Sequence, residues 1–196
     1  IDVAQIPNDE VRMKNAALFI ALAVAFTAVT AFTFSGNNEF IGSKSCKACH
    51  SNAKMGGTAY KSWEKGPHAK AFKTLQTAEA DKIAKEKGFS TKAAETDNCL
   101  SCHVTGMMEK GAKFDKKFDK SEGVGCESCH GAASAYAKKH AKDVAGAKAL
   151  GMMNPSVEKG EAEKQCKSCH NEKSPTYKGF KFKDAWKQIA HPRKKS

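Results

Sequence analysis

Aromatic residues make up only 8% of the 196 positions in this chain. A chain of that length has room for one core, and with so few large rings the core must draw apolar material from elsewhere. Cysteine is present but none is spare, because all eight fall into one five-residue pattern. Histidine is scarce, seven in all, and acidic residues are in deficit, 21 against 33 Lys+Arg, for a formal net charge of +12. That sign favours acidic partners over basic ones. There is no strict internal repeat: the first cysteines of the four copies of the pattern are 53, 27 and 40 residues apart.

The pattern is Cys-X-X-Cys-His, at Cys46, Cys49 and His50; Cys99, Cys102 and His103; Cys126, Cys129 and His130; and Cys166, Cys169 and His170. In such a string the two thiols add to the vinyl groups of a haem and the histidine ligates its iron, so each copy reads as a c-type haem attachment site. Zinc is the competing reading, but a zinc ribbon needs two Cys-X-X-Cys knuckles per ion and has no reason to place histidine after every one. Four disulfides are a further alternative. A two-residue loop between bridged cysteines, however, suits redox exchange better than stabilisation. Four haems on about 160 residues would supply the missing apolar interior. The expected fold is therefore mainly α, a small multihaem cytochrome c with short helices and long loops wrapped around four covalently bound haems and little or no sheet.

Residues 16–34 (AALFIALAVAFTAVTAFTF) carry no charge and follow Arg12 and Lys14, with the small residues Val29 and Ala31 placed before Phe32 as in a cleavage site. Residues 13–31 are expected to be a signal peptide, or an uncleaved anchor that would put the protein on a membrane. Residues 1–12 contain Asp2, Asp9 and Glu10, unlike a basic signal head, and read as non-native sequence upstream of Met13. Residues 32–196 are expected to form a single tetrahaem domain, exported to the periplasm, where covalent haem attachment takes place in bacteria. Removing the five charges before residue 37 leaves 31 basic and 18 acidic side chains, a formal +13. Two propionates on each haem would not reverse the sign. The lysines are scattered (Lys82, Lys87, Lys113, Lys117, Lys139), which suits docking of an acidic redox protein through a broad field; nucleic acid is excluded as a partner by export and the haem strings.

Helical signals appear at 77–87, ending at Gly88; at 132–150, carrying His140; from Pro67 to Leu75, with His68; and at 183–190, delivering His191. The stretch between His103 and Cys126, rich in glycine, reads as a loop or short hairpin. With His50, His103, His130 and His170 committed as proximal ligands, His68, His140 and His191 remain as distal ligands for four irons. One iron is left without a histidine on its far side. Met55, Met107 and Met108 lie near their own strings; Met152 and Met153 are free to reach, though packing against porphyrin edges is the commoner role of methionine.

The residues from Cys46 through Trp63 and HAKAF (His68 to Phe72), CLSCHVTG (Cys99 to Gly106), GVGCESCHG (Gly123 to Gly131), His140 and CKSCHNEKSP (Cys166 to Pro175) resemble the cytochrome c-554 family. The likeness covers about residues 42–191. It implies a tetrahaem periplasmic carrier that accepts electrons from a hydroxylamine oxidoreductase-like donor and passes them to a membrane-bound cytochrome. It also implies that His140 is the distal ligand of haem 1, His68 of haem 3 and His191 of haem 4, which leaves the haem of His103 five-coordinate. The separation of His170 from His191 is shorter than in the family, and residues 174–180 (SPTYKGF) are placed to wall the open face of that second haem.

Two functions follow. An electron carrier needs only close-packed haems with tuned potentials. An enzyme reducing nitric oxide at the His103 haem would use the open iron, but no acid–base constellation is visible there: Glu109 and Asp115 are the nearest carboxylates, and both read as solvated. A filament with two histidines on every iron is excluded by counting, since seven histidines to four haems holds in any assembly of this chain.

Overall fold

The computed structural model describes residues 38–191; the expected upstream segment and signal peptide lie outside them. The described residues belong to one compact unit. Nine short helices and one two-stranded pairing are present among them: α1 (Lys47–His50), α2 (Ala59–Lys65), α3 (Ala71–Thr74), α4 (Ala78–Glu86), α5 (Asp97–His103), α6 (Glu127–His130), α7 (Val144–Ala149), α8 (Glu161–Lys167) and α9 (Phe182–Ile189), with β1 (Glu39–Phe40) and β2 (Lys113–Phe114). The fold is mainly α with almost no sheet, as the composition suggests. No helix of the described residues is long and apolar enough to cross a membrane.

Local chemistry explains the helix boundaries. Thr77 caps α4 by accepting the Ala80 N–H at 3.2 Å, and the helix gives way at Lys87 before Gly88, close to the bounds read from sequence. The segment carrying His68 is a single 3-10 turn, His68–Lys70, running into α3. The continuous helix expected over 132–150 is not formed. Residues 134–142 make successive turns, and Asp143 starts a fresh helix, α7, by accepting the Gly146 N–H at 2.7 Å. A side chain that caps so well stops a helix from running through its position. Between His103 and Cys126, expected as a loop or short hairpin, the chain is mostly irregular, and its two-residue strand β2 pairs in parallel with β1, just before the first string, rather than within a hairpin.

Two modest clusters make up the protein core. One gathers Phe72, Leu75, Ala84, Ala93, Leu100 and Val104 beneath α5; the other gathers Ala133, Tyr136 and Ala147, with Ile41, Leu150 and Met152 against them. Phe40 is the one large side chain fully buried among the described residues. It stacks on Phe114, with ring centroids 5.6 Å apart. From residue 154 to 191 a single residue, Ala162, is buried.

Candidate haem centres

Each Cys-X-X-Cys-His string lies on or at the end of a helical turn: the first enters α1 from a 3-10 turn, the second lies within α5, the third enters α6, and the fourth follows from α8. The His130 N–H bonds the Cys126 carbonyl at 3.0 Å, and the His170 N–H bonds that of Cys166 at 3.0 Å. Positions i, i+3 and i+4 share one helix face, so both thiols and the imidazole of a string point the same way. None of the eight cysteines is joined to another in a disulfide. No three potential ligand side chains converge among the described residues, as a tetrahedral zinc site would require.

Six of the seven histidines meet in pairs. His50 faces His140 with ring centroids 5.8 Å apart and planes 11° from parallel. His68 meets His170 at 6.1 Å and 55°, and His130 meets His191 at 6.2 Å and 61°. A metal–imidazole bond is about 2 Å long, so two rings holding one metal from opposite sides have centroids about 6 Å apart once a ring radius of about 1 Å is added for each. The three pairs fit an axially ligated haem iron. His103 enters no such pair among the described residues. His140 stands opposite His50, the partner the resemblance implies. The other two are exchanged: His68 faces His170 where the resemblance sets it against His130, and His191 faces His130 where the resemblance sets it against His170. The path of the chain accounts for this. Val124 donates its N–H to the His68 carbonyl at 3.0 Å, which clamps the His68 backbone just ahead of the third string, while its ring reaches the fourth.

The histidines are held for ligation. The Nδ1 atoms of five lie against backbone carbonyls: His50 on Gly56 at 3.1 Å, His103 on Ala71 at 2.8 Å, His130 on Met153 at 3.0 Å, His140 on Ala137 at 2.9 Å and His191 on Ile189 at 3.2 Å. A proton on Nδ1 directed to a carbonyl leaves Nε2 as the ligand atom and fixes the ring. Burial, then a nearby histidine (His140 for His50, His170 for His68, His103 for His170), lowers the pKa of His50, His68 and His170, favouring the neutral form that binds metal. Met153 contributes its carbonyl to His130, and Met152 packs in the second core cluster, so neither thioether is needed to explain the local structure.

The strings themselves are neighbours. The Cys46 and Cys126 thiols are in hydrogen-bond reach, as are Cys102 and Cys169, and Cys129 feels the charge of Cys166. The attachment sites thus run in space from first to third to fourth to second.

Sequence reading overlooked the groups that hold these strings in register. Glu127, inside the third string and 2% exposed, accepts the N–H groups of Ile41, Gly42 and Ala133 at 3.0, 2.8 and 2.8 Å. Burial nevertheless raises its pKa. Glu122 accepts the N–H groups of Ser43 and Lys44 ahead of the first string. Thr105, 4% exposed, donates to the Gly123 carbonyl at 3.1 Å and accepts from the Gly125 N–H at 2.7 Å and the Ser128 hydroxyl at 3.1 Å. It ties the second string to the third. Trp63 donates to the Val124 carbonyl at 2.8 Å. Gly123 sits at φ +68°, where a Cβ would lie 2.6 Å from the His68 carbonyl oxygen, so only glycine fits. The one sequence signal for Glu127 was an acid between two cysteines that must sit close to a haem. Asp115 is spent on a turn, accepting the Lys117 N–H at 2.8 Å.

Helix-borne attachment strings with opposed, carbonyl-anchored histidines define a c-type cytochrome, an electron carrier with covalently bound haem. Comparison with known proteins agrees. The model of the family Cytochrome c554 and c-prime matches residues 45–131, and cytochrome c-554 of Nitrosomonas europaea is 30% identical over 173 residues, 83% of this chain and 71% of that protein. The chain belongs to the cytochrome c-554 family. No solved structure matches it.

Proposed function

We propose that the chain carries four covalently bound haems and serves as a periplasmic electron carrier. His50/His140, His130/His191 and His68/His170 would hold the irons of the first, third and fourth haems, and His103 alone would hold that of the second. The observation that carries this reading is the trio of histidine pairs at 5.8, 6.2 and 6.1 Å. When bound, haem supplies a one-electron iron couple. The chain's own residues do the rest. The cysteines would fix the macrocycles covalently, the imidazoles would hold the irons, five of the seven with their own basicity raised by a backbone carbonyl on Nδ1, and the first–third–fourth–second order of the strings supports a path through the molecule.

A protein so rich in lysine meets acidic redox partners, with a hydroxylamine oxidoreductase-like donor and a membrane-bound cytochrome as acceptor, in the oxidation of nitrogen compounds. Mass measurement of the purified protein should show four haems. Rapid mixing with an acidic reduced donor should reduce them fast, with a rate that falls as salt rises; slow, salt-independent reduction overturns the carrier reading. The unpaired ring of His103 also favours a second reading, reduction of nitric oxide at that haem. Turnover of nitric oxide by the reduced protein tests it, and failure of the reduced protein to bind carbon monoxide excludes it.

A further inference from the structure

Among the six paired histidines, four have Nδ1 on a backbone carbonyl; His68 and His170 do not. The His170 ring has a different support. Phe180 stacks on it with centroids 4.6 Å apart and planes 12° from parallel. The approach is arranged by the backbone: Gly179, immediately before, sits at φ +96°, a left-handed conformation that glycine adopts freely and other residues resist, and it turns the chain so that the next side chain lies flat on the imidazole. Phe180 is half-buried. Of residues 174–180, expected to wall the open face of the His103 haem, Phe180 lies against His170.

Resting on the ligand assignment above, we infer that Phe180 is a positioning residue for His170. The stack takes the place of the missing Nδ1 anchor, sets the rotation of the imidazole about its bond to the metal, and so fixes the 55° angle between the His170 and His68 planes. A flat ring face restrains rotation by packing but withdraws no proton. This pair is accordingly held in orientation without the added basicity that a carbonyl partner gives the other two.

The g values of low-spin ferric haem depend on the angle between the two axial imidazole planes, which gives a readout separate from electron-transfer activity. Electron paramagnetic resonance of the oxidised holoprotein is recorded for the parent, Phe180→Leu and Phe180→Tyr. Three low-spin signals in the parent carry the ligand assignment on their own, and fewer would sink that assignment without reference to Phe180. Given three, Phe180→Leu should move the low-field g value of one signal and leave the other two and the high-spin signal in place, while Phe180→Tyr, which keeps the ring face, should restore the parental value. Should Phe180→Leu fail to retain haem, Phe180→Tyr decides: a parental spectrum supports the stack. A change confined to the high-spin signal in either variant, or an unchanged spectrum in Phe180→Leu, overturns it.

Discussion

Residues 38–152 hold one another through the protein, whereas residues 154–191 scarcely do. The first region owns both apolar clusters and the buried acceptors Glu122, Glu127 and Thr105. The second buries Ala162 alone, and α9 buries nothing although Phe182 and Trp186 pack on each other at 5.7 Å. Beyond the contacts of Cys166 and Cys169 with Cys129 and Cys102, it is tied to the rest by the Gln165 amide on the Ser128 carbonyl at 2.8 Å and by the two histidine pairs that His170 and His191 complete. In the proposed holoprotein, iron coordination does for the C-terminal region what hydrogen bonds and apolar packing do for the N-terminal one.

The contrast can be broken most severely at Glu127. Glu127→Ala strands three backbone N–H groups, and at about 1–3 kcal/mol for each buried orphan the loss exceeds about 3 kcal/mol; denaturant unfolding of the holoprotein measures it, and a loss under about 1 kcal/mol would show that the N-terminal region is not held this way. Gln165→Ala removes one half-buried tie in the other region and should cost about 1 kcal/mol in the same experiment. Smallest is Asp119→Asn. Bonds from Ser121 and Lys44 hold the Asp119 carboxyl down to about 2, from an ordinary 3.8, so its contribution is present above pH 3.8 and is lost as pH falls through about 2. Because the pair is exposed and screened, that contribution is under about 1 kcal/mol. The variant should lose correspondingly less stability on acidification, which unfolding curves at pH 5 and pH 2.5 would show.

Much of the site was legible because it is local. The four strings, the helix over 77–87 with its stop at Gly88 and the helix that delivers His191 all follow from residues within one or two turns of each other. What escaped was non-local. Asp143 broke the expected 132–150 helix, but a capping residue inside an alanine-rich stretch is ambiguous until the buried Tyr136 fixes the turns before it, donating to the His130 and Gly131 carbonyls at 2.9 and 2.8 Å. Glu127 reads as a variable position within its string until Ile41, Gly42 and Ala133 are seen to converge on it. The choice between His130 and His170 as the partner of His68 depends on a clamp between Val124 and the His68 carbonyl, and no spacing along the chain reports it.

The histidine inventory is tested most directly by electron paramagnetic resonance of the fully oxidised protein with spin quantitation. One high-spin haem and three low-spin haems in equal amounts are expected, one of the three with the rhombic spectrum of near-parallel imidazoles, as the 11° angle of His50/His140 requires. Four low-spin haems, or two or more high-spin ones, would contradict it.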